Sequence, residues 1–241
     1  MRNKITPPYG LKAFTLSEVL ITLVIIGVVA AITIPNIIPS SQNKELYSKY
    51  KKNYSVIKNA LNLAQVQEGI IGDNTVVFTP STDNERNYAS AKRFAKYLNT
   101  MKICKNKWQS ECADIYYPVK HSTSGSGYNG DDWTSFYNPK IVLTDGSIYT
   151  IYQYETCVED VPTCKIDSSG NCLKDENGNN IPSVWHKEAC ALIYVDVNGV
   201  QGPNKFGKDN FLFQVPQNDI WVDEFAPRGG KTPYDIIQNK V

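Results

Sequence analysis

The sequence predicts an α+β fold: a long N-terminal helix, transmembrane and then amphipathic, packed on a small antiparallel β-sheet head with disulfides. Three observations predict it. The run "FTLSEVLITLVIIGVVAAITIPNII" carries no charged side chain from Val19 onward, and the first charge after it is Lys44. An amphipathic helical stripe continues beyond that run. The rest of the chain holds β-rich runs with turn signals, and all six cysteines. A helix followed by a hairpin-rich region that can cover its apolar stripe is an α+β arrangement.

About 20 apolar residues span the hydrocarbon core of a bilayer as a helix, so residues 14–38 qualify as a membrane span. Arg2, Lys4 and Lys12 precede the run with no acid among them. The positive-inside rule keeps that end in the cytoplasm and delivers the rest of the chain to the outside. The whole chain has 25 basic and 24 acidic residues, and without residues 1–13 the acids are in slight excess. No general nucleic-acid binding is expected of such a balance. A cleaved secretory signal peptide, cut near "VVAAI", competes with the anchor reading. It leaves Glu18 unexplained. An ionised carboxylate in the middle of a bilayer costs roughly 2.5–3.5 kcal/mol on insertion scales, so a partner for Glu18 is expected. Pro35 removes a backbone donor and predicts a kink or local melting.

Residues 39–69 continue the helix. Leu46, Tyr50, Tyr54, Ile57, Leu61 and Ala64 recur every three or four residues with lysine and asparagine between them, which makes one buried stripe. Gly69 and Gly72 end it. A shorter helix is expected in "STDNERNYASAKRFAKYLNTM", capped by Ser81 to Asp83 and striped by Tyr88, Ala91, Phe94, Leu98 and Met101.

The pattern then turns to strands, so residues 70–241 form the exported head. In "KIVLTDGSIYTIYQ" the Asp145-Gly146 pair predicts a hairpin. "CALIYVDVNG" and "DNFLFQV" are two further strands, joined by a loop with Gly199, Gly202, Pro203 and Gly207. "DSSGNCLKDENGNNIP" is an exposed polar loop held by its cysteine, and "HSTSGSGYNGDD" is flexible. From Pro216 onward no periodicity is legible.

Six cysteines in an exported region read as disulfides. Local closure suggests Cys104–Cys112 and Cys164–Cys172, leaving Cys157 with Cys190. A zinc site is disfavoured, because there is no C-x-x-C and only His121 and His186 could contribute imidazole.

The stretch Lys12 to Pro35, "KAFTLSEVLITLVIIGVVAAITIP", resembles the N-terminus of type IV pilins and type II secretion pseudopilins. The shared pattern is a short basic leader, a cleavage point, then phenylalanine, threonine, leucine, any residue, glutamate and an apolar helix. The resemblance implies cleavage between Ala13 and Phe14 by a prepilin peptidase, followed by N-methylation of Phe14. Where the family has glycine before the cut this chain has Ala13, the nearest substitute in size. Glu18 and Pro35 take the family's assembly positions. In such fibres the Phe14 amine of one subunit meets the Glu18 carboxylate of another, and a wrongly staggered subunit buries two unpaired charges.

The implied function is a prepilin-type filament subunit, polymerised through its N-terminal helix. The implied partners are the peptidase and N-methyltransferase, other pilin or pseudopilin subunits, an inner-membrane platform, an assembly ATPase and the membrane itself. The implied location is a single-pass inner-membrane protein with its N-terminus in the cytoplasm, then a periplasmic pseudopilus or a cell-surface pilus. The rival is a membrane-anchored envelope binding protein or enzyme that never polymerises.

Other signals are weaker. "GPNKFGKD" falls one residue short of a phosphate-binding P-loop, since Asp209 stands where Ser or Thr would ligate magnesium. No cofactor is required, but Asp196, Asn198 and Asp209 offer oxygens suited to calcium, with Asp167, Asp175 and Asn177 as a rival cluster. Both groups also suit plain turns. No nucleophile–base set is evident, so no enzyme is expected. Trp108, Trp133, Trp185 and Trp221 are expected to pack the head.

Overall fold

The computed structural model describes residues 14–120, 137–167, 171–222 and 232–238. The expected leader 1–13 with Ala13, the segment 121–132 with His121, and Trp133 lie outside the described residues. The chain divides into two compact units, Met1–Lys44 and Glu45–Val241.

Helix α1 (Leu16–Glu68) runs through both units. In the first, Leu16–Thr33 has a mean hydropathy of 2.4 and none of it is buried, so it is long and apolar enough to cross a membrane. Local melting at Pro35 does not occur: α1 is one helix of 53 residues through Pro35 and Pro39. Each proline removes one donor, and propagation from intact turns on either side is cheap once a helix exists. The side chains of residues 34–41 are outside the described set.

In the second unit the stripe of α1 is buried as its periodicity requires. Tyr50, Ile57, Leu61 and Ala64 are in the core, and Leu46 and Tyr54 pack against it half-buried. The helix stops where Gly69 turns left-handed at φ +70°. The Ile70 N–H then reaches back to the Gln65 carbonyl at 2.9 Å, the 6→1 bond of a Schellman cap.

Helix α2 (Arg86–Ala95) is shorter than expected. Ser81 and Asp83 accept the N–H groups of Asp83 and Glu85, forming two successive turns ahead of the helix. The predicted stripe fails at its end. Thr100–Cys104 is strand β1, and Met101 is 60% exposed. Its residues pair with β2, so tertiary pairing overrides helical spacing there.

The remaining strands are β2 (Lys140–Leu143), β3 (Ile148–Gln153), β4 (Val158–Cys164), β5 (Pro182–Glu188), β6 (Ala191–Asp196), β7 (Asn210–Val215) and β8 (Trp221–Val222). A six-stranded antiparallel sheet has the order β1-β2-β3-β6-β7-β8, and β4 pairs only with β5. The β2–β3 hairpin turns at Asp145-Gly146 as predicted, with Gly146 at φ +88°. Near the C-terminus, helix α3 (Pro233–Ile237) is capped by the Thr232 hydroxyl and drops Ile236 into the core.

The core forms where α1 meets the sheet. The Tyr50 ring lies 4.4 Å from Phe211 and 5.2 Å from Phe213, stacked on the latter. One turn on, Asn53 accepts a 2.6 Å bond from the buried Tyr149 hydroxyl. Burial raises the Tyr149 phenol well above its ordinary range, so it stays a donor. A second anchor is Lys52, which reaches Asp145 in the β2–β3 turn at 2.7 Å.

The β4–β5 hairpin is a separate arm. Of its described residues only Lys187 is buried, held by Glu159 at 2.7 Å and lying over the Tyr154 ring. Three disulfides staple the head: Cys104–Cys112 after β1, Cys157–Cys190 at the base of the arm, and Cys164–Cys172 toward its tip. These are the pairs that local closure suggests. The tryptophans correct an expectation: Trp108, Trp185 and Trp221 are 75%, 51% and 40% exposed, on the surface and not in the core.

This packing makes two outcomes measurable. Cys157–Cys190 closes 33 residues and Cys104–Cys112 closes 8. In the chain-entropy account the longer loop is worth about 1 kcal/mol more. Paired Cys→Ser substitution at 157 and 190 is therefore expected to lower the urea midpoint more than the same change at 104 and 112. The second concerns His186, whose Nδ1 sits 2.5 Å from Asp160 and whose Nε2 sits 3.3 Å from Glu188. The Asp160 bond, with both acids' charges, raises its pKa above the ordinary histidine value. The interaction is fully present below the unfolded-state pKa and fades as pH rises through the higher folded value. An NMR titration should place the His186 midpoint above that of a free histidine, and Asp160→Asn should bring it down.

Candidate functional site

The candidate site begins at the first helical turn. Thr15 is the residue before Leu16, the first of α1, and Glu18 is the third helical residue. The Glu18 Oε2 accepts from both the Thr15 N–H and the Thr15 hydroxyl, each at 2.8 Å, and the Glu18 N–H donates to Thr15 Oγ1 at 3.2 Å. This reciprocal pair is a capping box. Its signature, Thr-x-x-Glu ahead of an apolar run, is legible in "TLSE", although the cost of a carboxylate in lipid points first to an outside partner for Glu18. The carboxylate also lies at the positive end of the helix macrodipole.

Both bonds fall on Oε2, so the other oxygen of Glu18 takes no part in the cap. Phe14, next to Thr15, is 85% exposed. The turn thus presents an aromatic residue, a capped helix start and one carboxylate oxygen, followed by a helix whose apolar side chains are uncovered. Of the other candidates, the processing residue Ala13 is outside the described residues, and the assembly residue Pro35 is within α1 with its side chain undescribed.

A second cluster lies in the β6–β7 loop. Asp196 and Asp209 are buried, at 4% and 0% exposure. Asp209 accepts from the N–H groups of Asn204 and Lys205, each at 2.7 Å. Asp196 accepts from the Asn198 N–H, the Tyr117 hydroxyl and the Asn210 amide. That amide also reaches Asp209 at 3.3 Å, which puts the two carboxylates side by side. Burial and the Asp209 charge push the Asp196 carboxyl up to about 7. Burial likewise drives the Tyr117 phenol upward.

The P-loop likeness of "GPNKFGKD" now has a physical account. Its backbone N–H groups do form an anion cradle, and Asp209 of the same loop fills it. Asn198 joins the cluster through its N–H, while the Oδ1 atoms of Asn198 and Asn204 are buried with no hydrogen-bond partner. Among the described residues, no three His, Cys, Asp or Glu side chains gather as a metal site. Asp167 and Asp175 each accept N–H groups of their own exposed turns, and the Asn177 N–H is one of those donors.

Two surface cavities flank the turn at Gly72, of about 440 and 210 Å³. The larger is lined by Asp73, Glu188, Gln217 and Asn218 with the bonded Cys157; neither lining includes a histidine, serine or free thiol. His186 is exposed on the arm between two acids.

No curated protein and no solved structure matches the chain. One family model does: residues 12–34 match the prokaryotic N-terminal methylation motif. The matched stretch contains the capping box and nearly all of the apolar span. The chain therefore carries the prepilin-type signal of type IV pilins and pseudopilins.

Proposed function

We propose that the protein is a filament subunit, cut between Ala13 and Phe14, methylated on the new amine and polymerised through α1. The observation that carries this reading is the first turn of α1. Inside a prepilin-type motif, Thr15 holds Glu18 through one carboxylate oxygen and leaves the other outside the cap's hydrogen bonds. In a bundle of such helices, the Phe14 amine of a neighbour is a fitting partner for that oxygen. An amine and a carboxylate buried together recover much of their desolvation cost, whereas either alone is penalised by several kcal/mol. The pair therefore selects one stagger. Prepilin peptidase, a platform protein and an assembly ATPase are the partners such a route needs. The order of segments is a leader, residues 1–13, a polymerisation helix, residues 14–38, an amphipathic extension, residues 39–69, and an exported head. A cytoplasmic N-terminus and an outside head follow from the basic residues that precede the span.

The rival reading is an anchored envelope binding protein or enzyme that never polymerises. It would retain residues 1–13. Mass measurement of the N-terminal peptide from protein in its native envelope separates the two. A chain starting at Phe14 with one added methyl group is expected, and one still starting at Met1 would favour the plain anchor.

Glu18→Gln tests the charge apart from the cap, because glutamine also serves in a capping box. We expect normal membrane levels and a filament incorporation reduced by about tenfold or more, as an unpaired amine costs several kcal/mol. Incorporation equal to wild type would make Glu18 a helix cap and nothing more.

Calcium in the β6–β7 loop is a second reading, favoured by the two orphaned amide oxygens beside two carboxylates. Asp196, Asp209, Asn198 and Asn204 would supply oxygens, with water completing the six to eight that calcium takes. At ten times its dissociation constant, calcium would add about 1.4 kcal/mol, a rise in Tm of about 3–6 °C. The rise should vanish in Asn198→Ala/Asn204→Ala. An unchanged Tm in wild type would leave the loop closed by its own hydrogen bonds.

A further inference from the structure

We propose that the β4–β5 arm of one head docks on the α2–β1 face of a second copy of this chain. The arm is an uncovered element. Val158, Val184 and Trp185 are 54%, 62% and 51% exposed, and Ile166 near its tip is 64% exposed. An isolated two-stranded hairpin is marginally stable in water, yet this one is stapled at its base and toward its tip. A rigid arm with apolar side chains in water is built to be covered. Val158 and Val184 share one face of the hairpin with Asp160 and Glu188, while Trp185 lies on the other.

Charge identifies the cover. Between Cys157 and Cys190 the chain has six acidic residues and three lysines, and one of those lysines, Lys187, is buried against Glu159. The arm is therefore acidic. Residues 86–110 carry seven lysines and arginines and no acid. Lys92 and Lys105 both lie over the Tyr88 ring, at 4.8 and 5.7 Å, which draws α2 and the turn after β1 into one face. Lys96 follows Lys92 by one helical turn. Met101 and Trp108, 60% and 75% exposed, add apolar surface beside the lysines. β1 is also an outer strand of its sheet.

The arm does not cover this face in its own head. Its acidic contact there is the Arg86–Glu155 pair at its base, at 3.3 Å, and the outer length of the arm stays exposed. The acid at the edge of the basic face, Glu85, pairs with Lys105 on the surface, where an ion pair is worth little and is easily exchanged. An acidic, apolar arm and a basic, apolar face on the same chain are complementary between copies. Subunits concentrated in one membrane or fibre would bring them together.

The test uses the full chain in its native envelope, with benzoyl-phenylalanine at position 184, on the face of Asp160 and Glu188, as a photo-cross-linker. The expected product is a covalent pair of copies, with the link mapped to residues 86–110 of the second copy. Lys92→Glu/Lys96→Glu should cut its yield by about tenfold, and adding Asp160→Lys/Glu188→Lys should restore it. Intact disulfides, read by mass, confirm that each variant has folded. A link only to some other protein, no link, or a yield indifferent to charge reversal would overturn the proposal. The result is separable from the filament reading. Cross-links between copies that start at Met1 would keep the head contact and sink processing, and filaments free of the link would do the reverse.

Discussion

The governing constraint is that α1 begins with a length of helix its own chain does not cover. Leu16–Thr33 is wholly unburied at a mean hydropathy of 2.4. Each exposed Leu, Ile or Val leaves about 1.5–3 kcal/mol unrealised, and the segment holds enough of them to make residence in water untenable. Lipid or other apolar helices must supply the cover. The same helix, from Glu45 onward, is covered on one side by a sheet. One continuous element thus meets two solvents. The all-round apolar composition of the first part and the single stripe of the second are what each environment demands.

The head answers the second demand with aromatic packing. Tyr50 on Phe211 and Phe213 brings one helix residue against the strand β7, and Tyr149 to Asn53 ties the next turn to β3. A buried phenol needs an acceptor, and a helix asparagine facing the sheet supplies it without opening the core to water. Lys52 to Asp145 adds an exposed tie at the hairpin turn, where a surface pair contributes little energy but matches the register of helix and turn.

The span, the stripe of α1, the Asp145-Gly146 hairpin and strands β6 and β7 were legible because each rests on local periodicity or turn chemistry. β1 was not. "TMKIC" continues a helical spacing, and its strand state comes from pairing with β2, almost forty residues on. The arm was unreadable for another reason: exposed on both sides, β4 and β5 lack the alternation that a half-buried strand shows. α3 is too short for periodicity, though Thr232-Pro233 has the chemistry of a helix start. The tryptophans misled because large apolar side chains are usually buried, and three of them here are not. The cysteine pairs were legible from local closure, while the filling of the glycine-rich loop by Asp209 was not.

Glu18 shows how one side chain can meet two demands without conflict. A carboxylate in an apolar helix is costly, but the first turn of a helix is where that cost is least, because orphan N–H groups and the macrodipole both favour an anion. Thr15 uses one oxygen of the carboxylate to close the cap. The remaining oxygen takes no part in the cap, and the cap fixes the carboxylate's place on the helix, so a cationic partner would not have to order it. A glutamate one residue earlier or later would leave the Thr15 hydroxyl without its reciprocal partner and put the charge on another side of the helix. The spacing Thr-x-x-Glu therefore satisfies the helix first, and a charge-pairing role rests on that local geometry.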